Sequence, residues 1–242
     1  MRGAVSVSVP RPIHLLAGGI WRRSAKPDPL IAAAIAEAGC PAPTIAYVGA
    51  ASGDDLQFVE RIENLFRRAG SGAVRLAPLA GRRADARAAW RVLENSDLVF
   101  VSGGDVEEGI RVLRESGTVP LLRDLYRGGK PFFGLSAGSI MLAAQWVRWR
   151  DPRDDATAEA FDCLSLAPVL CDTHAEDDDW QELHTLLRLL GDGSVGYGLP
   201  SGLGLKVFAD GRGEPLGGRV PVFTNRRGRI VPVAWRSLPA LP

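Results

Sequence analysis

Along the first half of the chain, short runs of consecutive apolar residues alternate with longer stretches in which apolar positions recur every three or four residues. The runs "PIHLLAG", "TIAYVGA", "AVRLAPL", "DLVFVSGG" and "PFFGLS" have the length and near-continuous hydrophobicity of strands buried on both faces. Between them "DPLIAAAIAEAG", "DLQFVERIENLFRRAG", "RADARAAWRVLENS", "VEEGIRVLRES" and "PLLRDLYRGG" carry the helical period. Strands that alternate with helices in this way predict an α/β three-layer sandwich, a mostly parallel sheet covered by helices on both faces.

Beyond about residue 145 the alternation loosens into a charged loop "RWRDPRDDATAEA", an apolar stretch "LSLAPVL", the segment "CDTHAEDDDW", one helix and "VGYGLPSGLGLKVF". A hairpin is predicted over "RVPVFTNRRGRIVPVAW", and this last third reads as strands added to the same sheet. The charged loop is short and flanked by core-like sequence, so it does not separate domains. The expected organisation is an extension over 1–12 followed by one domain over 13–242.

Composition agrees with this picture. A chain of 242 residues, 46% of them hydrophobic, is long enough for one domain with a full core. Lys and Arg number 29 against 28 Asp and Glu, so no overall field favours nucleic acid or an anionic membrane, and a small substrate or peptide is the default partner. The basic stretch "TNRRGRIVP" lacks interleaved aromatics and reads as a solvated hairpin turn, not a nucleic-acid surface. Cys40, Cys163 and Cys171 have no C-x-x-C spacing and form an odd set, which argues for buried thiols in a reducing interior. The opening apolar stretch is short and ends at Pro10 and Pro12, which suits neither a secretory leader nor a membrane span, so a cytoplasmic protein is expected.

The candidate chemistry lies where the strand "PFFGLS" gives way to a helix. Gly134, Leu135, Ser136, Ala137 and Gly138 satisfy G-x-S-x-G between a buried strand and a helix, the setting a nucleophile elbow requires. Such a turn strains the serine backbone, lifts its hydroxyl above the carboxyl edge of the sheet and needs small neighbours. The bland alternative makes Ser136 an N-cap and Gly134 a packing glycine. An oxyanion formed at Ser136 would find the backbone amide of Ala137 as its first donor. A second donor should come from another strand end, and "VFVSGGD" offers Gly103 and Gly104, with Asp105 either near substrate or simply capping the next helix.

A serine nucleophile needs a base, and the chain has three histidines. His14 lies in the first apolar strand and His184 within a predicted helix, whereas His174 falls in a strand-end loop of the kind that carries catalytic groups. The acidic run Glu176, Asp177, Asp178 and Asp179, with Asp172 and His174, could be read as a hard-metal site. Acids in the first turn of a helix complement its dipole, and that simpler reading is preferred, with no metal expected. For the carboxylate that would orient the imidazole, spacing leaves Asp151, Asp154, Asp155, Asp162 and Asp172 all open.

Taken in order, "IAYVGAASGDD", "VFVSGGD", "FFGLSAGS", "FDCLSLAPVLCDTH" and "GYGLPSGLGL" resemble the serine peptidase family that contains dipeptidase E (aspartyl dipeptidase) and cyanophycinase. The likeness runs from about residue 13 to about 210, and its most specific parts are the G-x-S-A-G elbow and the glycine pair. It implies a fold like that of class I glutamine amidotransferases with serine in place of their cysteine. Position by position, the resemblance implies Ser136 as nucleophile, His174 as base, Asp151 as the acid and the amides of Gly104 and Ala137, beside Gly103, as oxyanion hole. The chain departs from its relatives at Asp105–Val106 after the glycine pair and at Ser201 in "GLPSG", where a glutamate is common. Asp105 and Ser201 are therefore candidates for substrate contact.

The expected function is that of a peptidase-type serine hydrolase cleaving a small peptide or isopeptide amide through an acyl-enzyme on Ser136, with no metal or organic cofactor. An esterase or amidase on a non-peptide, or a noncatalytic binding module with the same fold, are the alternatives. The sequence leaves the oligomeric state open, a homodimer included.

Overall fold

The computed structural model describes residues 9–19 and 26–235; residues 1–8 of the expected amino-terminal extension lie outside them. The alternating pattern becomes β1 (Ile13–Leu16), α1 (Pro29–Ala36), β2 (Ile45–Val48), α2 (Leu56–Arg68), β3 (Val74–Ala77), α3 (Ala86–Glu94), β4 (Leu98–Val101), α4 (Val106–Glu115), α5 (Thr118–Arg127), β5 (Phe132–Leu135) and α6 (Ala137–Leu142). Aspartates that accept backbone amide bonds start α1, α2, α3 and α4, namely Asp28, Asp55, Asp85 and Asp105. These side chains satisfy first-turn donors that the helix itself leaves open.

The later elements are β6 (Gln145–Trp149), β7 (Ala158–Asp162), β8 (Leu170–Thr173), α7 (Gln181–Leu190), β9 (Val195–Leu199), β10 (Gly204–Val207), β11 (Gly213–Leu216), β12 (Val222–Arg226) and β13 (Arg229–Pro232). The central sheet runs in the order β11-β10-β1-β5-β4-β2-β3. Its five strands from β1 to β3 are mutually parallel, and β10 and β11 add antiparallel at the β1 edge. Among the described residues, no helix is long and apolar enough to cross a membrane.

Period-two alternation divides the strand side chains between two cores. Tyr47, Phe100, Phe133 and Leu16 face α1 and α2, where Phe66 packs edge-on against Phe100 with ring centroids 4.7 Å apart. Ala46, Val48, Val99, Val101 and Phe132 face the opposite side, toward α4, α5 and α6. The inner strands β2, β4 and β5 are thus apolar on both faces, which is why the sequence shows continuous runs there and not alternation.

The expectation that the whole last third extends this sheet is corrected. Only β10 and β11 join it; β8, β9, β12 and β13 form a separate four-stranded sheet, and β6 pairs with β7 in a two-stranded ribbon. With β10 on its outer side and β5 on its inner side, β1 has no free edge to offer another strand. The second sheet instead covers α7 through Leu183, Leu186 and Leu187 and joins the same core as α6. The predicted hairpin is β12–β13, with Asn225 opposite Ile230 and Arg226 opposite Arg229.

Candidate active site

One residue separates β5 from α6. Ser136 reverses the chain there with φ 55° and ψ −130°, angles that strain any residue bearing a Cβ. Surrounding bonds hold it in place: the Ser136 amide donates to the Leu16 carbonyl at 2.9 Å, and the Ser139 amide donates to the Ser136 carbonyl at 2.8 Å. Behind the turn the backbone of α6 presses on β4 so closely that a Cβ on Gly138 would lie 2.0 Å from the Val101 carbonyl oxygen. The small residues of the motif are required by this approach. The N-cap reading of Ser136 does not hold, because its side chain makes no capping bond.

His174 follows the last residue of β8, in a second sheet. Its backbone is also left-handed, with φ 45°, and its amide donates to the Leu199 carbonyl of β9 at 2.8 Å. This places the imidazole Nε2 2.6 Å from Ser136 Oγ, across 38 residues of chain. With the proton on Nδ1, Nε2 accepts from the Ser136 hydroxyl, the geometry from which a general base works.

The glycine pair after β4 borders the same serine. A Cβ on Gly103 would stand 3.1 Å from Ser136 Cβ, and Gly104, with φ +142°, lies so close to the loop after β2 that a Cβ would fall 2.0 Å from the Ala51 carbonyl oxygen. The next amide, of Asp105, donates to that carbonyl at 2.8 Å and anchors the turn. Ala137 opens α6, where an amide has no intrahelical acceptor. Gly104, Ser136, Ala137 and His174 together line one cavity of about 590 Å³. A second, of about 470 Å³, shares Gly104, Ser136 and His174 with the first and is further lined by Gly19, Ser52, Phe58, Gly103 and Ser201.

Asp105 borders the larger cavity, but its carboxylate caps α4 by accepting from the Glu108 amide at 2.8 Å. Ser201 borders the smaller one, and its amide donates to Glu176 Oε1 at 3.0 Å.

Among the described residues, Asp151, the acid the resemblance implies, makes no hydrogen bond to His174. It is exposed in the turn of the β6–β7 ribbon, where its Oδ1 accepts from the Arg153 amide at 3.0 Å, and its carbonyl accepts from the Asp154 amide and the Thr157 hydroxyl, each at 3.0 Å. These local side-chain and backbone bonds keep the residue within its own turn. Asp154 caps the following turn by accepting from the Ala156 amide, and Asp162 accepts from Gln145 Nε2 at 2.9 Å. Asp155 and the buried Asp172 do reach the larger cavity.

Among the described residues, the ring of His174 has Ser136 as its hydrogen-bond partner. Two residues on, the Glu176 carboxylate accepts from the Ser201 amide. Burial raises that carboxyl, but the Ser201 hydroxyl, the amides of Glu176 and Ser201 and the charge of His174 outweigh it and hold Glu176 below the usual range. In sequence, Glu176 is expected in the first turn of the following helix. Glu176–Asp178 instead form a separate 3-10 turn, and α7 begins only at Gln181 after left-handed Asp179 and Trp180. A glutamate two residues past the candidate base, in a strand-end loop, was the available signal.

The other histidines are engaged elsewhere. His14 is buried in β1 with Nε2 3.2 Å from Glu37 Oε1, and burial lowers its pKa despite that carboxylate. His184 packs edge-on against Phe223 with ring centroids 4.7 Å apart.

The sequence model of Peptidase family S51 matches residues 15–211. Peptidase E of Streptomyces coelicolor is 31% identical over 144 residues, 56% of this chain and 58% of that protein, so the match spans little more than half the relative's length. Peptidase E of Escherichia coli is 29% identical over 82 residues, 34% of this chain and 35% of its own. Among solved structures, a peptidase from an acI-B1 Actinobacterium superposes with a TM-score of 0.69 at 16% identity, covering 94% of this chain and 98% of its own. A putative Peptidase E protein from Listeria monocytogenes gives 0.61 at 15% identity, covering 85% and 98%. At these identities the structural likeness concerns the fold.

Proposed function

The chain belongs to peptidase family S51, and from that membership we propose that it is a serine hydrolase of peptidase type, cleaving an amide bond in a small peptide through an acyl-enzyme on Ser136. The observation that carries the reading is the 2.6 Å contact between Ser136 Oγ and His174 Nε2, with the serine on a strained turn between β5 and α6. Two cavities that meet at that serine leave room for a substrate on the two flanks of the scissile bond.

In the proposed cycle, Ser136 Oγ attacks the amide carbonyl while His174 Nε2 takes its proton. Negative charge gathers on the carbonyl oxygen, which the amides of Gly104 and Ala137, beside Gly103, would stabilise. The imidazolium returns its proton to the leaving amine as the carbon–nitrogen bond breaks. A water deprotonated by His174 then hydrolyses the ester, and Ser136 recovers its proton. Glu176, held by Ser201, is the carboxylate we assign to stabilising the imidazolium, in place of Asp151.

Labelling with a fluorophosphonate, read by peptide mass mapping, tests the nucleophile: one adduct on Ser136 is expected, and none in Ser136→Ala. An unlabelled wild-type chain, or label on another serine, would overturn the reading. Turnover of members of a dipeptide library, with simple esters untouched, separates a peptidase from an esterase on the same scaffold.

A further inference from the structure

A chain of contacts runs along the carboxyl edge of the central sheet from β3 toward the serine, and at its middle stands an acid that lines neither cavity. Asp54, in the loop after β2, has a left-handed backbone with φ 57°. Its Oδ2 accepts from the amides of Leu79 and Ala80, just past β3, at 2.7 Å each. Its own amide donates to the Gly49 carbonyl at 3.1 Å, and the Ser52 amide and hydroxyl donate to the same oxygen at 2.9 and 3.1 Å. These bonds fold the 3-10 turn over Ala50–Ser52 back on Gly49 and fasten it to the neighbouring strand end.

The glycine pair after β4 rests on that turn. The Ala51 carbonyl accepts from the Asp105 amide at 2.8 Å, and Gly104 approaches it so closely that a Cβ would fall 2.0 Å away. Close-packed contacts of this kind transmit displacement, so Ala51 cannot shift without moving Gly104. On its other side the turn is equally tight, since a Cβ on Gly49 would stand 2.7 Å from Asp54 Oδ1. Among the described residues that Oδ1 is buried with no hydrogen-bond partner, and burial raises the carboxyl while the amides of Ala80 and Leu79 oppose the rise. One oxygen of the carboxyl is therefore held at a cost, and the other spans two strand ends.

We propose that Asp54 is a positioning residue for the oxyanion hole. By tying the loop after β2 to the end of β3, it fixes the Ala51 carbonyl and, through it, the amide of Gly104 beside Ser136. The link to catalysis rests on the peptidase reading above; the tie between the loops does not. A merely local role, closing the left-handed turn, would leave Gly104 and Asp105 unaffected when the carboxylate is removed.

The rate at which a fluorophosphonate labels Ser136 in the full chain reads the oxyanion hole, because the phosphonyl oxygen takes the place of the substrate carbonyl oxygen. Asp54→Gly removes the carboxylate without straining a left-handed backbone. It should lower the limiting labelling rate on the order of tenfold or more, the scale of a small misplacement at a reacting centre. The probe concentration that gives half that rate should move less than about twofold, since ground-state binding does not use the amide of Gly104. Asp54→Asn keeps an oxygen for the two amides and should restore the rate to within about threefold. Asp54→Glu displaces the carboxylate by one methylene, should label as slowly as Asp54→Gly, and carries the test if the glycine variant fails to fold. Unaltered rates in both, or a loss that Asp54→Asn does not repair, would overturn the proposal. Amide exchange followed by NMR reads the tie apart from the chemistry. In Asp54→Gly the Asp105 amide should exchange faster than the Val99 amide of β4 does, although its acceptor on Ala51 is untouched. Unchanged protection at Asp105, or an equal rise at Val99, would overturn the proposal whether or not Ser136 is labelled. An unaltered chain that takes no label while Asp105 still responds sinks the peptidase reading alone.

Discussion

Glu176 accepts the Ser201 amide at 3.0 Å, tying the loop that carries His174 to the turn that follows β9. The bond makes the position of the imidazole depend on two strand ends of the second sheet, β8 and β9, which lie parallel with Thr173 opposite Leu199.

If Glu176 stabilises the imidazolium, Glu176→Gln should lower kcat roughly tenfold, the equivalent of about 1.4 kcal/mol in the barrier. KM should change little, since the interaction strengthens only as charge develops. Asp151→Asn should leave kcat within about twofold, because its carboxylate serves its own exposed turn. Steady-state kinetics on the two variants decide between them, and the reverse result would return the role to Asp151.

Ser136→Ala and His174→Ala should each lower turnover by several orders of magnitude, while the double variant is little worse than either. Residues that act as a unit give non-additive losses. Additive losses in a peptide assay would show that the 2.6 Å contact does not function as a nucleophile–base pair.

Gly104→Ala should reduce both stability and turnover. The added Cβ would meet the Ala51 carbonyl oxygen at 2.0 Å in a backbone with φ +142°, so the turn must shift. Strain of this kind costs about 1–3 kcal/mol, and moving the amide spoils its aim at the oxyanion. Thermal denaturation and kcat should fall together; an unaltered kcat would remove Gly104 from the oxyanion hole.

Stability should depend on pH through Asp172. Its folded carboxyl is raised from an ordinary 3.8 to about 7, so between those values the folded chain holds a proton that the unfolded chain has lost. Stability therefore declines as pH rises through this window, and the penalty is complete above about 7. Glu182 and Asp178 are the charges that act on it, and Arg148 and Asp155 line the same cavity as Asp172. Asp172→Asn abolishes the titration, so denaturant unfolding at pH 5 and pH 8 should show a smaller difference than in the unaltered chain, by up to about 2.6 kcal/mol. An unchanged difference would mean that Asp172 ionises freely.

What the sequence determined by itself is what depends on local spacing. Strands buried on both faces must be apolar throughout, so the runs around Ile45, Leu98 and Phe132 announced the parallel sheet directly. The elbow was legible for the same reason: a one-residue reversal between β5 and α6 needs small residues at fixed offsets from Ser136, and sequence offset is what a chain displays. His174 stood out because few histidines exist and one alone follows an apolar run into a loop. Which acid serves that imidazole is a matter for the tertiary structure, because electrostatic interaction falls with distance through space and not along the chain. Local bonds keep Asp151 in the ribbon turn, while Glu176 meets Ser201, 25 residues away, through the pairing of β8 with β9. The second sheet was hidden for a related reason: β8, β9, β12 and β13 resemble any other strands in sequence, and which sheet a strand joins is set by pairing between distant segments.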